Sequence, residues 1–317
     1  MKRLRTITES QVQHSLTAEK AIDLAKEAYF RLARGEALNP ERTVLTVPTG
    51  LSVYCMPGYV SGRATVTVKV ARANPSNPTI SLPTVTARLH VYDSNTGEEL
   101  AQIEAETFTA LRTAASSAIA TDLLAPKDAD SLGIFGTGRQ ATAHVDSIMK
   151  VRSIEKVLVY SRSKDRRTLF AKQVEEETGI PTVAADSQRG VVDNSRILVL
   201  ATNSVTPLFK GEWVKPGTHV NAIGVSTPDA REMDTDLIRR SLLVVDSEAQ
   251  AVSTYGDVVI PLREGAIDES QIIELGSLLI EPGIVKRQKD QITVFKSGGL
   301  AVLDAIMADY LVTTGKR

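Results

Sequence analysis

A glycine pattern runs through Leu132-Gly133-Ile134-Phe135-Gly136-Thr137-Gly138-Arg139-Gln140-Ala141, directly after an apolar β-type run and at the head of a helical one. In a strand-turn-helix setting Gly136 permits the tight turn, Gly138 lets the backbone approach a pyrophosphate, and Ala141 lets the helix pack closely on the sheet. Backbone N–H groups at the helix start, around Thr137, Arg139 and Gln140, then face the anion. Taken alone the pattern is an ordinary strand-to-helix turn. A second apolar run, Lys156 to Tyr160, ends about 20 residues further on, where the dinucleotide fingerprint places its next contact. An NAD site puts Asp or Glu there to accept from the ribose hydroxyls, and this chain has Tyr160-Ser161-Arg162-Ser163-Lys164 instead. Ser161 and Ser163 can donate to a 2′-phosphate, and Arg162 can pair with it or stack on adenine, whereas an acid would repel it. The expected cofactor is NADP(H) in preference to NAD(H).

Strands and helices must hold these groups in place. From Ser131 onward apolar strands alternate with helix-length stretches: Leu132 to Phe135, Arg139 to Met149, Lys156 to Tyr160, a charged helix to about 177, then Ile197 to Ala201, His219 to Ile223, Leu242 to Asp246 and Ile292 to Phe295. Alternation of this kind predicts a doubly wound parallel sheet, a Rossmann domain over 123–298. The first part reads differently. Thr17 to Gly35 has helical spacing of Ala21, Leu24, Ala25, Ala28 and Leu32, with Thr17 as N-cap and Gly35 as stop. Four β-type runs follow, at 43–47, 52–56, 64–70 and 79–92, punctuated by Pro48, Pro57-Gly58, the 74–78 loop and Asn95-Thr96-Gly97. They predict a small, mostly antiparallel sheet, left by a long helix over 106–124. A last helix, Gly299 to Leu311, is expected to return and cover that sheet. The predicted organisation is therefore α/β, with a smaller α+β domain, 1–122 with 299–317, beside the Rossmann domain. The substrate is expected in the cleft of such a pair.

Composition narrows the function classes. The chain has 317 residues, 37 basic against 38 acidic, for a net charge of -1, and no long basic run, so a nucleic-acid partner is not expected. No apolar run approaches the ~18 residues of a membrane helix, and Met1 to Leu16 lacks an apolar leader core; a cytoplasmic protein is expected. The single cysteine, Cys55, sits in the apolar stretch Val53-Tyr54-Cys55-Met56 and reads as packing. Four scattered histidines give no metal-ligand spacing.

Further segments combine with the glycine turn. Glu41-Arg42-Thr43, Met56-Pro57-Gly58-Tyr59, Val68-Lys69-Val70, Thr109-Ala110-Leu111-Arg112-Thr113-Ala114-Ala115, Val220-Asn221-Ala222-Ile223-Gly224, Glu232-Met233-Asp234 and Lys296-Ser297-Gly298-Gly299-Leu300-Ala301 occur in an order that resembles the ornithine cyclodeaminase/mu-crystallin family over nearly the whole chain. The resemblance implies that Arg42, Lys69 and Arg112 hold a substrate carboxylate. That chemistry is sound on general grounds, since guanidinium groups grip a carboxylate bidentately and an ammonium adds a compact charge. Lys69 also interrupts the run Val66, Val68, Val70 and falls on the other face of that strand. Met56 is expected as an apolar wall of the substrate pocket, and Thr202, Ser297 and Gly298 as further cofactor contacts. Arg88 and His90 share a strand face that either reaches the pocket or meets solvent.

The family's cyclodeaminases carry an Asp acid/base in the loop after the Asn-Ala-Ile-Gly strand. Here the loop reads Gly224-Val225-Ser226-Thr227-Pro228-Asp229, and the matching position is Ser226. A serine is a poor base at neutral pH. The resemblance is then to the ketimine-reductase and pyrroline-2-carboxylate-reductase members, with Lys69 and Ser226 as the catalytic candidates. The expected activity is NAD(P)H-dependent reduction of a small cyclic imino acid by a homodimer. The alternatives are an amino-acid dehydrogenase, a cyclodeaminase of ornithine or lysine, and a non-catalytic NADP(H)-dependent ligand-binding protein.

Overall fold

The structure, a computed structural model, describes residues 4–74, 76–285 and 287–314; Pro75, in the loop expected at 74–78, lies outside the described residues, as do residues 1–3 and 315–317 of the smaller expected domain and Lys286 of the expected Rossmann domain. Two compact units divide the chain: residues up to Arg112 together with those from Gly299 on, and Thr113–Gly298.

In the first unit a short strand β1 (Arg5–Ile7) and helix α1 (Glu9–Ser15) precede helix α2 (Ala18–Ala33). The Thr17 hydroxyl accepts from Lys20 N at 3.2 Å, and Gly35 leaves the helix at φ +72°. Strands β2 (Ala37–Leu38), β3 (Thr43–Thr46), β4 (Ser52–Val60), β5 (Thr65–Ala73), β6 (Val85–Asp93) and β7 (Glu99–Glu104) follow, then helix α3 (Glu106–Leu124). The division between the units falls inside α3, after Arg112. With β1 these strands make a seven-stranded sheet in the order β1-β7-β6-β5-β4-β2, with β3 also paired to β4. All pairs are antiparallel except β1 with β7.

The run expected as one strand from Thr79 to Tyr92 is broken. Asn77–Ile80 form a 3-10 turn, Ser81 stands at φ 61°, and the strand begins only at Val85. Pro83 has no N–H to give a ladder, and its carbonyl instead accepts from the Asn77 side chain at 2.8 Å. The C-terminal helix, Ala301–Thr314, packs on β4 and β5. Gly58 makes that possible, because a Cβ there would lie 2.4 Å from the Ala301 carbonyl oxygen.

The second unit contains β8 (Ser131–Phe135), α4 (Arg139–Met149), β9 (Lys156–Tyr160), α5 (Lys164–Thr178), β10 (Thr182–Ala184), α6 (Gln188–Asp193), β11 (Ile197–Leu200), β12 (His219–Ala222), α7 (Thr235–Arg239), β13 (Ser241–Val245), α8 (Glu248–Thr254), α9 (Gly256–Arg263), β14 (Ile272–Glu274), α10 (Leu275–Ile280) and β15 (Ile292–Lys296). Its eight strands form one sheet in the order β10-β9-β8-β11-β12-β15-β13-β14, and every pair is parallel. Strand β8 is buried at all five positions, as expected for a parallel strand covered on both faces. Leu132 and Ile134 pack with Ala141, Val145 and Ile148 of α4 in one core, and Leu198, Leu200, Val220 and Val294 belong to the other. The doubly wound α/β architecture expected from the sequence holds. No helix among the described residues is long and apolar enough to cross a membrane.

Candidate active site

The glycine turn opens at the carboxyl end of β8. Gly136 sits at φ +107°, and a Cβ on it would lie 2.4 Å from the Ala201 carbonyl oxygen, so only glycine fits. Gly138 is the N-cap of α4 and no side chain caps the helix there; a Cβ on Gly138 would meet nothing within 4 Å. Open space above uncapped helix N–H groups fits a pyrophosphate. Thr137 and Gln140 are half-buried and Arg139 exposed around the same turn.

At the end of β9, Arg162 and Ser163 are exposed. The Ser163 hydroxyl accepts from Arg166 N at 3.3 Å as the N-cap of α5, and the Ser161 hydroxyl donates to Ser163 O at 3.0 Å. Ser163 thus keeps an O–H to offer, while Ser161 uses its own inside the turn. Sequence reasoning missed Arg167, which lies 5.7 Å over the Tyr160 ring and donates to Ser161 O and Asp186 Oδ1, each at 3.1 Å. Arg167 thereby ties the segment to Asp186.

In the first unit, strand alternation turns Thr65, Thr67 and Lys69 inward and leaves Val66, Val68 and Val70 half-buried on the other face. Lys69 stands opposite Met56 in register, and both are buried. Its Nζ lies 3.5 Å from Asp304 Oδ1, and Arg112 Nε lies 3.7 Å from the same oxygen. Gly299, at φ +86°, admits Arg112: a Cβ there would sit 1.9 Å from the guanidinium. Burial lowers the Lys69 pKa to about 8; the charges of Arg112 and Arg42 push it the same way, and Asp304 opposes them. The structure therefore brings Arg42, Lys69, Arg112 and Met56 together in one unit. Asp304 was missed; its signal is a lone carboxylate in the apolar run Ala301-Val302-Leu303-Asp304-Ala305-Ile306. Arg88 and His90 lie on the opposite face of the sheet, where Arg88 Nη1 reaches Gln102 at 3.5 Å and His90 Nδ1 meets Glu99 at 2.8 Å.

The remaining candidates stand at the carboxyl ends of three adjacent strands, where ligands of open parallel sheets bind. Thr202 follows β11, and its N–H and hydroxyl donate to Glu232 Oε1 at 3.0 and 2.6 Å. Ser226 is half-buried in the loop after β12. Ser297 and Gly298 follow β15, and both donate to Asp246 Oδ2, at 2.7 and 3.0 Å. Asp229 is exposed and faces Arg263 at 3.7 Å. Burial raises the Glu232 pKa to about 7, with Lys296 opposing and Asp257 adding. No group of three or more His, Cys, Asp or Glu side chains placed to hold a metal occurs among the described residues.

A doubly wound parallel sheet with an open glycine turn of the shape that suits a pyrophosphate, and buried cations suited to a carboxylate, are the features of an oxidoreductase that works with a nicotinamide dinucleotide. Its family follows from comparison. The ornithine cyclodeaminase/mu-crystallin family model matches residues 4–314, and the chain belongs to that family. It is 35% identical over 293 residues to a Delta(1)-pyrroline-2-carboxylate reductase of Bacillus cereus, with 90% of each chain covered. It is 34% identical over 275 residues to the ketimine reductase mu-crystallin of Mus musculus, covering 86% of this chain and 84% of that one. The structure of Thermococcus litoralis Delta(1)-pyrroline-2-carboxylate reductase in complex with NADH and L-proline matches with a TM-score of 0.95 at 35% identity, over 99% of this chain and 98% of that one.

Proposed function

We propose that this chain reduces the C=N bond of a small cyclic imino acid, of the pyrroline-2-carboxylate or piperideine-2-carboxylate type, with NADPH as the preferred cofactor. The observation that carries the reading is the buried cluster of Lys69 and Arg112 around Asp304, with Arg42 acting on it. Such a cluster suits one carboxylate held by a guanidinium fork and an ammonium. Met56, beside Lys69 on the inner face, offers an apolar wall to ring methylenes. The bound cofactor supplies hydride to the C=N carbon. The pyrophosphate would rest on the turn from Gly136 to Gln140, and a 2′-phosphate on Arg162 and the Ser163 hydroxyl. The NADPH preference rests on the segment after β9, which has no carboxylate to accept from a ribose, although the Thermococcus litoralis enzyme was solved with NADH.

A protonated cyclic imine already carries the charge that draws hydride, so the protein's main tasks are alignment and anchorage. Lys69, protonated at neutral pH, holds the carboxylate, and Ser226 relays a proton. Cyclodeamination would need a positioned carboxylate acid/base, and this chain has Ser226 at that place. The outer sheet face, with Tyr59, Val66, Val68, Val70 and Tyr92 half-buried, supports pairing with a second copy as a homodimer.

The test is NADPH oxidation with pyrroline-2-carboxylate and piperideine-2-carboxylate, alongside ammonia release from ornithine with catalytic NAD(P)+. Reduction of the preformed imines and of their methyl esters at equal rates would remove the carboxylate site from the reading. Sustained ammonia release would replace it with cyclodeamination.

A further inference from the structure

The ends of β11, β12 and β15 are joined by a buried polar network that the reductase reading leaves without a role. Its centre is Glu232, which is 0% exposed. The carboxylate receives three hydrogen bonds: from Thr202 N and Oγ1 on one oxygen, at 3.0 and 2.6 Å, and from Gly224 N on the other, at 2.8 Å. Gly224 is in direct contact with both partners, since a Cβ there would lie 2.1 Å from Thr202 O and 2.6 Å from Glu232 Oε1. Glu232 is itself fixed from behind. Its own N–H and that of Met233 donate to Asp257 Oδ1 at 2.8 and 2.9 Å, and Lys296 Nζ lies 2.9 Å from Asp257 Oδ2. Lys296 also donates to the carbonyl of Val225, the residue before Ser226.

Packing alone does not call for this arrangement. A buried charge network is costly beside apolar residues of the same volume, so its position calls for an explanation. Three donors converge on one side chain, and only a carboxylate presents acceptors on both oxygens. A dinucleotide lies across the carboxyl edge of such a sheet, with its halves on either side of the point where strand order reverses. Here that point is β8, whose turn takes the pyrophosphate; β9 and β10 lie on the adenosine side, and β11, β12 and β15 on the other.

We infer that Glu232 is a positioning residue for hydride transfer: by holding Thr202 and Gly224 it fixes the two strand-end loops against which the nicotinamide half of the cofactor rests. The inference rests on the dinucleotide part of the reading above and is independent of which imine is reduced. Asp257 and Lys296 orient Glu232 and tie the Ser226 loop to β15. In Glu232→Gln one oxygen becomes an NH2 group, which sets donor against donor at either Thr202 or Gly224.

The test compares affinities for the whole reduced dinucleotide and for its adenosine fragment, by calorimetry on the full chain: NADPH with adenosine 2′,5′-bisphosphate, and NADH with ADP. In the unmodified chain the dinucleotide binds more tightly than its fragment. Glu232→Gln is expected to lower that ratio about tenfold, one charge-assisted contact's worth, with fragment affinity held within roughly twofold. If Glu232→Gln does not fold, Glu232→Asp decides, because the shorter carboxylate cannot span Thr202 and Gly224 together. A ratio unchanged in the variant that folds, or a fragment affinity that falls as far as that of the dinucleotide, overturns the inference. An unmodified chain that binds both ligands and reduces no imine removes the reductase reading and leaves this comparison valid.

Discussion

In an Asp304→Asn variant Lys69 loses a carboxylate 3.5 Å away, and Arg112 loses the same oxygen at 3.7 Å. A hydrogen bond to a charged group contributes about 1.5–3 kcal/mol net, which moves a pKa by roughly one to two. The Lys69 pKa, about 8 with Asp304 in place, then falls to roughly 6 to 7. Its folded value already lies below the 10.5 of an exposed lysine, so the protonated form is disfavoured by folding. That penalty is full below about pH 8 and is relieved as pH rises toward 10.5. Removing one partner of a buried pair costs about 3–5 kcal/mol where the remaining charge must stay, but Lys69 can shed its proton and limit the loss. The functional consequence is larger than the structural one. In the unmodified chain KM for the imino acid should stay level up to about pH 8 and rise above it, as Lys69 discharges. In the variant the rise should begin one to two pH units lower, giving a KM about two- to tenfold higher near pH 7, with cofactor affinity unchanged. Cofactor oxidation followed across the range gives both profiles. Identical pH profiles for KM in the two proteins would refute the role of Asp304 and of a charged Lys69 in holding the substrate.

Arg162→Ala and Ser161→Asp should each weaken NADPH binding by about tenfold to a hundredfold while NADH is less affected, and equal affinities of the unmodified chain for the two would end the NADP(H) preference. Gly136→Ala forces a side chain into φ +107° and within 2.4 Å of Ala201 O; dinucleotide affinity should fall by more than about tenfold, and full binding by a folded variant would contradict the turn's role. Acid stability follows from buried titratable groups. Burial lowers His144 to about 4 against the Gln140 carbonyl's pull, and lowers His219 to about 3, with Arg152 and Arg287 adding. Their stability is full above 6.5 and is lost as pH falls, while Glu232, raised from 4.5 to about 7, works the other way by taking up a proton on folding. Near pH 5 to 5.5 the histidines outweigh it by about one proton, so folding stability should fall on acidification with a slope of about 1.4 kcal/mol per pH unit, read as a falling thermal midpoint. His144→Asn should flatten that slope, and a midpoint independent of pH in the unmodified chain would rule the account out.

The sequence by itself determined whatever depends on near neighbours. The glycine turn lies within ten consecutive residues, and α3 and α4 begin and end where residue type alone places them, at 106–124 and 139–149. Period-two alternation put Lys69 on the face opposite Val66, Val68 and Val70 before any partner was known. Where local signals were weak the sequence failed. Thr79 to Pro83 looked like the start of a strand because β-branched residues surround it, and the short elements β1, α1, β14 and α6 to α10 are too brief for a period to show. The partners of buried charges were out of its reach for a different reason. Asp304 is 235 residues from Lys69, and Glu232 is 30 from Thr202. No spacing rule links such positions. Burial makes an unpaired charge costly, and only the packing of the C-terminal helix on β5, or of one strand-end loop on the next, decides which group satisfies it.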